Sequence, residues 1–181
     1  MNGLLHPLIV KKIAWKDEAA TQAFARALAA SPAVANALIE LRGDLGAGKT
    51  TFARYLLAAL GVASRIKSPT YAVVESYALA AAERPRLVSG AGAASGLSSL
   101  SGESLTILHF DFYRFNDPRE WEEAGFRDLF ASPGLKLVEW AEKAGRYLPP
   151  RDLIVSIDVL PDDTRAVEVT ALTAVGAELL A

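Results

Sequence analysis

The sequence predicts an α/β layered fold with a mostly parallel central sheet and antiparallel strands near the C-terminus, and three observations carry that prediction. A glycine-rich loop, Gly43-Asp-Leu-Gly-Ala-Gly-Lys-Thr50, lies between a short apolar run and a stretch with helical patterning. Apolar strand-like runs then alternate with helical segments along the chain. Two strand-like runs close it, Leu153 to Leu160 and Ala166 to Thr173, joined by Pro161-Asp-Asp-Thr as a hairpin.

Taken in order, Leu8 to Trp15 reads as a strand, and Asp17 as the N-cap of a helix from Glu18 to about Ala30 that Ser31-Pro32 closes. Ala37 to Leu41 is an apolar run suited to a buried strand. Beyond the glycine loop, Thr51 to Leu60 continues as a helix with Gly61 as its stop. Arg65 to Tyr71 is a loop leading into a short strand over Ala72 to Tyr77. From about Ala78 to Glu103 the chain is dominated by Ala, Gly and Ser, which bury little and lose much entropy on ordering, so a flexible surface insertion is expected there. Leu105 to Phe110 resumes as a strand that delivers Asp111 at its end. Asp117-Pro118-Arg119-Glu120 combines an N-cap, a proline at the first helical position and a glutamate three residues on, starting a short helix that Gly125 ends. Leu135 to Val138 is a strand ending on Glu139, followed by an expected helix from Trp140 toward Tyr147 and a Pro149-Pro150 break. The whole reads as one domain.

Composition narrows the classes of function. The 181 residues are 51% hydrophobic and 22% charged, with a formal charge of -2 and a pI near 5.7, so there is no overall basic field to hold nucleic acid. The chain has no cysteine, which excludes disulfides and thiolate metal sites and fits a reducing cytoplasm. Met1 to Val10 lacks the order of charge, apolar run and cleavage site of a signal peptide, and no run of 18 apolar residues suggests a membrane span.

The loop at Gly43 to Thr50 is a complete G-x-x-x-x-G-K-[ST] phosphate loop, which makes the expected architecture P-loop NTPase-like, with three layers, and a nucleoside triphosphate the default ligand. Gly43, Gly46 and Gly48 let the backbone turn tightly and bring its N–H groups close to phosphate oxygens. The helix beginning near Lys49 adds its positive end. Lys49 can reach the outer phosphates, and the Thr50 hydroxyl can ligate Mg²⁺.

Ligands of an open α/β sheet gather outside the carboxyl ends of its strands. Asp111 and Glu139 each stand where an apolar strand ends, so one can hold Mg²⁺ and the other orient an attacking water; the sequence leaves open which does which. Lys67-Ser68-Pro69-Thr70-Tyr71 follows the phosphate-loop helix, where a switch loop could carry a hydroxyl toward the terminal phosphate, although Ser-Pro-Thr is also an ordinary turn. His109 lies two residues before Asp111 and shares its strand face, as a buried strand histidine would. Arg114 can contact phosphate or pair with a helix acid such as Glu122, and Trp140 can lie beside the nucleotide or fill the core.

Gly-Asp-Leu-Gly-Ala-Gly-Lys-Thr-Thr at Gly43 to Thr51, Lys-Ser-Pro-Thr-Tyr at Lys67 to Tyr71, His-Phe-Asp-Phe-Tyr-Arg at His109 to Arg114 and Val-Glu-Trp-Ala-Glu at Val138 to Glu142 together resemble the bacterial TsaE (YjeE) family, the ATPase of tRNA threonylcarbamoyladenosine biosynthesis. The resemblance spans nearly the whole chain. It implies weak ATP hydrolysis that depends on the partners TsaD and TsaB and resets a complex modifying the adenosine beside the anticodon, with tRNA touched mainly through that complex. It also implies that the nucleotide is bound by Leu45, Gly46, Ala47, Gly48, Lys49, Thr50 and Thr51, with Trp140 beside it and Glu18 and Arg165 at its outer rim. On the same basis Thr50 and Glu139 are the Mg²⁺ ligands, Asp111 is the second essential acid, in the metal's surroundings or orienting water, and Thr70 is the switch threonine. Phe112 and Ala141 stand where the family commonly has Leu and Pro, and the 78–103 segment is longer than the usual connection by roughly twenty residues, a length that loop closure tolerates.

Two other classes share the phosphate loop. A small-molecule or nucleotide kinase would need an arginine-bearing lid, for which the insertion offers only Arg84 and Arg86. A guanine-nucleotide switch would carry Asn-Lys-x-Asp, which is absent.

Overall fold

The computed structural model describes residues 8–80 and 104–181. Among the described residues seven strands form one sheet: β1 (Ile9–Trp15), β2 (Leu38–Arg42), β3 (Val74–Leu79), β4 (Leu105–Asp111), β5 (Leu135–Glu139), β6 (Leu153–Val159) and β7 (Arg165–Ala171), in the order β1-β7-β6-β2-β5-β4-β3. The central strands β6, β2, β5 and β4 run parallel, while β7 and β1 add antiparallel at one edge and β3 at the other. The α-helices of the described residues are α1 (Glu18–Ala30), α2 (Lys49–Leu60), α3 (Glu120–Glu123), α4 (Phe126–Ala131) and α5 (Ala174–Leu179).

Strand alternation sends side chains to two different cores. Ile39, Leu41, Ile107, Leu135, Leu137, Val155 and Ile157 pack with Leu28 of α1 and Phe52, Leu56 and Leu57 of α2. Leu38, Leu108, Phe110 and Val138, one residue out of phase, pack with Phe112, Phe115, Trp121 of α3 and Phe126 of α4. The second core is built on rings, with Phe110 4.5 Å from Phe130 and 5.6 Å from Phe126 between centroids. Each fully buried side chain of this size contributes about 1.5–3 kcal/mol. β5 is buried along its whole length and β2 up to Arg42, the charged Glu40 and Lys136 included.

The expected caps are largely present. Asp17 accepts the Ala20 N–H at 2.8 Å, and Gly61 ends α2 at φ 108°. Around α3 the Glu120 carboxylate accepts the N–H groups of Asn116 and Asp117, and Gly125 ends the helix at φ 71°. The helix itself starts at Glu120, two residues after Pro118, because residues 117–119 form a turn closed by Glu120 N–H donating to the Asp117 carbonyl.

Four differences from the sequence reading stand out. The helix expected from Trp140 toward Tyr147 is instead two short 3-10 turns, Ala141–Lys143 and Gly145–Tyr147, because Trp140 at φ 57° and Gly145 at φ 58° interrupt any α-helical ladder. The helix α4 starts directly after Gly125, and α5 is capped by the Thr173 hydroxyl accepting from Gly176 N–H; neither is expected from the sequence. Ala78 and Leu79, placed by sequence in the insertion, belong to β3 and pair with Thr106 and Leu105. Ala80 follows the strand, and residues 81–103, including Arg84 and Arg86, lie outside the described residues.

Candidate functional site

The turn from β2 into α2 is shaped by glycine. Gly43 has φ 136°, and a Cβ there would collide with the Ile157 carbonyl on the neighbouring β6. Gly48 at φ 112° precedes α2, so the first N–H groups of the helix face the loop. Lys49 Nζ curls back over this turn and donates to the carbonyls of Gly43 at 2.6 Å and Asp44 at 2.9 Å, while lying 4.2 Å from the centre of the Trp140 ring. Burial holds the Lys49 ammonium below the ordinary lysine range; Glu139, Asp111, Glu142 and Asp44 oppose that shift and are outweighed.

The two strand-end acids come together by register. Asp111 of β4 is the direct partner of Glu139 on β5. The Thr50 hydroxyl, in the first turn of α2, lies 3.0 and 3.1 Å from the two Glu139 oxygens, and His109 Nε2 lies 2.9 Å from Glu139 Oε1. Asp111 is held from another side. Its Oδ2 accepts the hydroxyls of Ser68 at 2.9 Å and Thr70 at 2.7 Å, and its Oδ1 accepts the Tyr113 N–H at 3.0 Å. The Ser68 and Thr70 hydroxyls also lie 2.6 Å apart. Two non-glycine residues beside this cluster, Val73 at φ 67° and Trp140 at φ 57°, hold left-handed backbone, and for a β-branched valine that is an outlier of the kind that gathers at functional sites.

One cavity gathers most of these groups. Leu45, Gly46, Gly48, Lys49, Thr50 and Thr51 line one wall, with Asp111, Glu139, Thr70 and Trp140 opposite. Ser68 and Tyr113 line it as well, although sequence reasoning did not single them out. Both sit within the quoted motifs, Ser68 two residues from Thr70 and Tyr113 two residues from Asp111. The Tyr113 ring lies 5.0 Å from Trp140. Ala47 is buried behind the loop, its N–H donating to the Asp44 carbonyl. Glu18 and Arg165 lie away from the cavity lining: Glu18 accepts the Tyr55 hydroxyl, and Arg165 begins β7 and donates to the Asp163 carbonyl. Arg114 does not pair with Glu122, which pairs with Arg127 at 3.4 Å; its guanidinium stacks 4.1 Å over Tyr71.

Side-chain oxygens of Thr50, Thr70, Asp111 and Glu139 line the cavity, and hard oxygens suit Mg²⁺. Among the described residues no group of three or more His, Asp or Glu side chains gathers to cage a metal. A lysine next to a glycine-rich turn at a helix start could hold an anion.

The family model described as threonylcarbamoyl adenosine biosynthesis protein TsaE matches residues 15–88 and 96–167. This chain belongs to the TsaE family. A TsaE protein of Haemophilus influenzae is 38% identical over 143 residues, covering 79% of this chain and 75% of that protein. The Bacillus subtilis TsaE is 30% identical over 165 residues, covering 90% and 88%. The crystal structure of Bacillus subtilis YdiB superposes with a TM-score of 0.65 at 27% identity, over 95% of this chain and 93% of that one. TsaE membership and the sheet order agree on a P-loop NTPase-like fold with a parallel centre. Among the described residues of this TsaE chain, no helix is long and apolar enough to cross a membrane.

Proposed function

We propose that this chain is the Mg-ATP hydrolysing member of the machinery that makes threonylcarbamoyladenosine in tRNA, slow alone and accelerated by TsaB and TsaD. Family membership supports the pathway. The observation that carries the nucleotide chemistry is the Thr50 to Glu139 contact beside Lys49, with Asp111 directly opposite Glu139.

In this reading the N–H groups of Gly46, Gly48 and the start of α2 bind phosphate oxygens, and Lys49 exchanges its loop carbonyls for the outer phosphates. Thr50 and Glu139 hold Mg²⁺, which when bound neutralises charge developing on the transferred phosphoryl group. Asp111 accepts a hydrogen bond from the attacking water and orients it, in place of one of the hydroxyls it now accepts. Thr70 reports the terminal phosphate to the loop that carries it. Trp140 forms an apolar wall that keeps bulk water from Lys49. The chain works as one domain in the cytoplasm, and with its charge of -2 leaves most tRNA contact to its partners.

Phosphate release measured for the protein alone and with TsaB and TsaD tests the proposal. Stimulation by the partners, abolished in Glu139→Ala, is the expected result. Rapid transfer of phosphate to a small metabolite without partners would identify a kinase instead.

A further inference from the structure

His109 is fully buried in the middle of the sheet. On its own strand face the next residue toward the start of β4 is Ile107, and its cross-strand partners are Leu137 on β5 and Glu75 on β3; Ile107 and Leu137 belong to the aliphatic core. Its Nδ1 is buried and meets no hydrogen-bond partner among the described residues. A buried polar atom without a partner costs stability, so packing alone would be better served here by leucine or phenylalanine. What the imidazole contributes is the contact from Nε2 to Glu139 Oε1 at 2.9 Å. An ionised carboxylate only accepts hydrogen bonds, so Nε2 carries the proton of that bond.

The other donor to Glu139 is different in kind. Thr50 lies almost equally far from both carboxylate oxygens, and its hydroxyl has one proton to share between them. Once Thr50 turns its oxygen toward a ligand in the cavity, Glu139 Oε1 is held by His109 alone. Oε2 is then the oxygen left without a hydrogen bond among those described.

We propose that His109 is the positioning residue for Glu139: it pins Oε1 from the core side, fixes the carboxylate plane and so presents Oε2 as the metal-binding oxygen. This rests on the Mg-ATP reading above. A hydrogen bond of this sort behind a metal ligand is commonly worth 10- to 100-fold in metal affinity.

Equilibrium binding of a fluorescent ATP analogue, mant-ATP, titrated with Mg²⁺ and repeated in EDTA, tests it without measuring turnover. His109→Leu is expected to raise the Mg²⁺ concentration for half-maximal effect by about tenfold or more, while mant-ATP affinity in EDTA stays at the wild-type level. His109→Gln, whose amide nitrogen can occupy the place of Nε2, is expected to recover most of the loss. In a Glu139→Gln background His109→Leu should add nothing further. If His109→Leu does not fold by circular dichroism, His109→Asn, whose shorter amide falls short of Glu139, is read against His109→Gln in its place. An unchanged Mg²⁺ requirement, an equal loss with and without Mg²⁺, or an equal further loss in Glu139→Gln would each overturn the positioning role while leaving the Mg-ATP reading intact. Wild-type binding of mant-ATP that ignores Mg²⁺, or no binding, would overturn both.

Discussion

Glu139 and Asp111 are neighbours on adjacent parallel strands, yet different kinds of structure hold them. Glu139 takes its hydrogen bonds from the first turn of α2 and from the interior of β4. Asp111 takes two of its three from the loop hydroxyls of Ser68 and Thr70. That loop is lightly tied: the backbone bonds from Val73 N–H to Pro69 and from Asp111 N–H to Val73 anchor its end, and Tyr71 at its tip is 85% exposed. Partners on regular elements fix a carboxylate before any ligand arrives. Partners on a loop can be exchanged without unfolding an element, since such segments open at low cost. One acid is therefore prebuilt, and the other is coupled to whatever moves the 68–73 loop.

Substitutions should separate the two sides, beginning with the prebuilt one. Glu139→Ala is expected to cut partner-stimulated phosphate release by about 10³-fold, at the upper end for one preorganised electrostatic group. It also strands the buried His109 Nε2, so chemical denaturation should show a loss of about 1–3 kcal/mol. Asp111→Asn should cost about 10²-fold in the same assay, the size expected for a group that handles a proton, with nucleotide binding by equilibrium titration retained. If the two losses proved equal and Asp111→Asn abolished binding, the division between a metal-holding and a water-orienting acid would fall.

On the loop side the effects shrink. Thr70→Val is expected to lower phosphate release about tenfold, one neutral hydrogen bond's worth at the upper end. Ser68→Ala should cost only a few-fold, because Thr70 still serves the same Asp111 oxygen. Both variants should make the loop easier to open, read as faster amide exchange at residues 68–73 with α2 unchanged. Protection lost equally in α2 would show that the loop is as rigid as the helix and erase the contrast.

The smallest expected effect concerns charge. Burial lowers the Lys49 pKa in the fold below the ordinary lysine value of 10.5. Between the two values the unfolded chain binds more protons, so this residue's contribution to stability rises with pH across that window. Lys49→Met should therefore give a slightly higher Tm than wild type near pH 7 while losing hydrolysis, and the gap should close as pH approaches 10.5. A lower Tm for Lys49→Met would mean that the bonds to Gly43 and Asp44 and the Trp140 contact outweigh desolvation.

Much of this contrast is legible from the sequence, and the limits have physical causes. The phosphate loop, the Asp17 cap and the acids at the ends of β4 and β5 are local signals, readable over a few residues. The register that sets Asp111 against Glu139 is a tertiary fact with no local mark, as is the strand order. The positive φ at Trp140 has no signal in a residue type that rarely adopts it, and it replaced the expected helix with two turns. The helix α4 did leave a signal, Phe126, Leu129 and Phe130 at helical spacing, masked by the Gly125 stop just before it. By sequence Ser68 is turn chemistry and His109 is core; only the tertiary fold sets the Ser68 hydroxyl on Asp111 and His109 Nε2 on Glu139.

The backbone twist at Trp140 has a spectroscopic consequence. Of the three tryptophans in the chain, Trp15 and Trp121 are each 3% exposed in opposite cores, and Trp140 alone lines the cavity, with the Lys49 ammonium 4.2 Å from its ring centre. Any event that draws Lys49 off the indole changes the surroundings of that one fluorophore and leaves the other two as a steady background. The protein carries its own optical probe at the point where its chemistry would begin, and needs no label to report it.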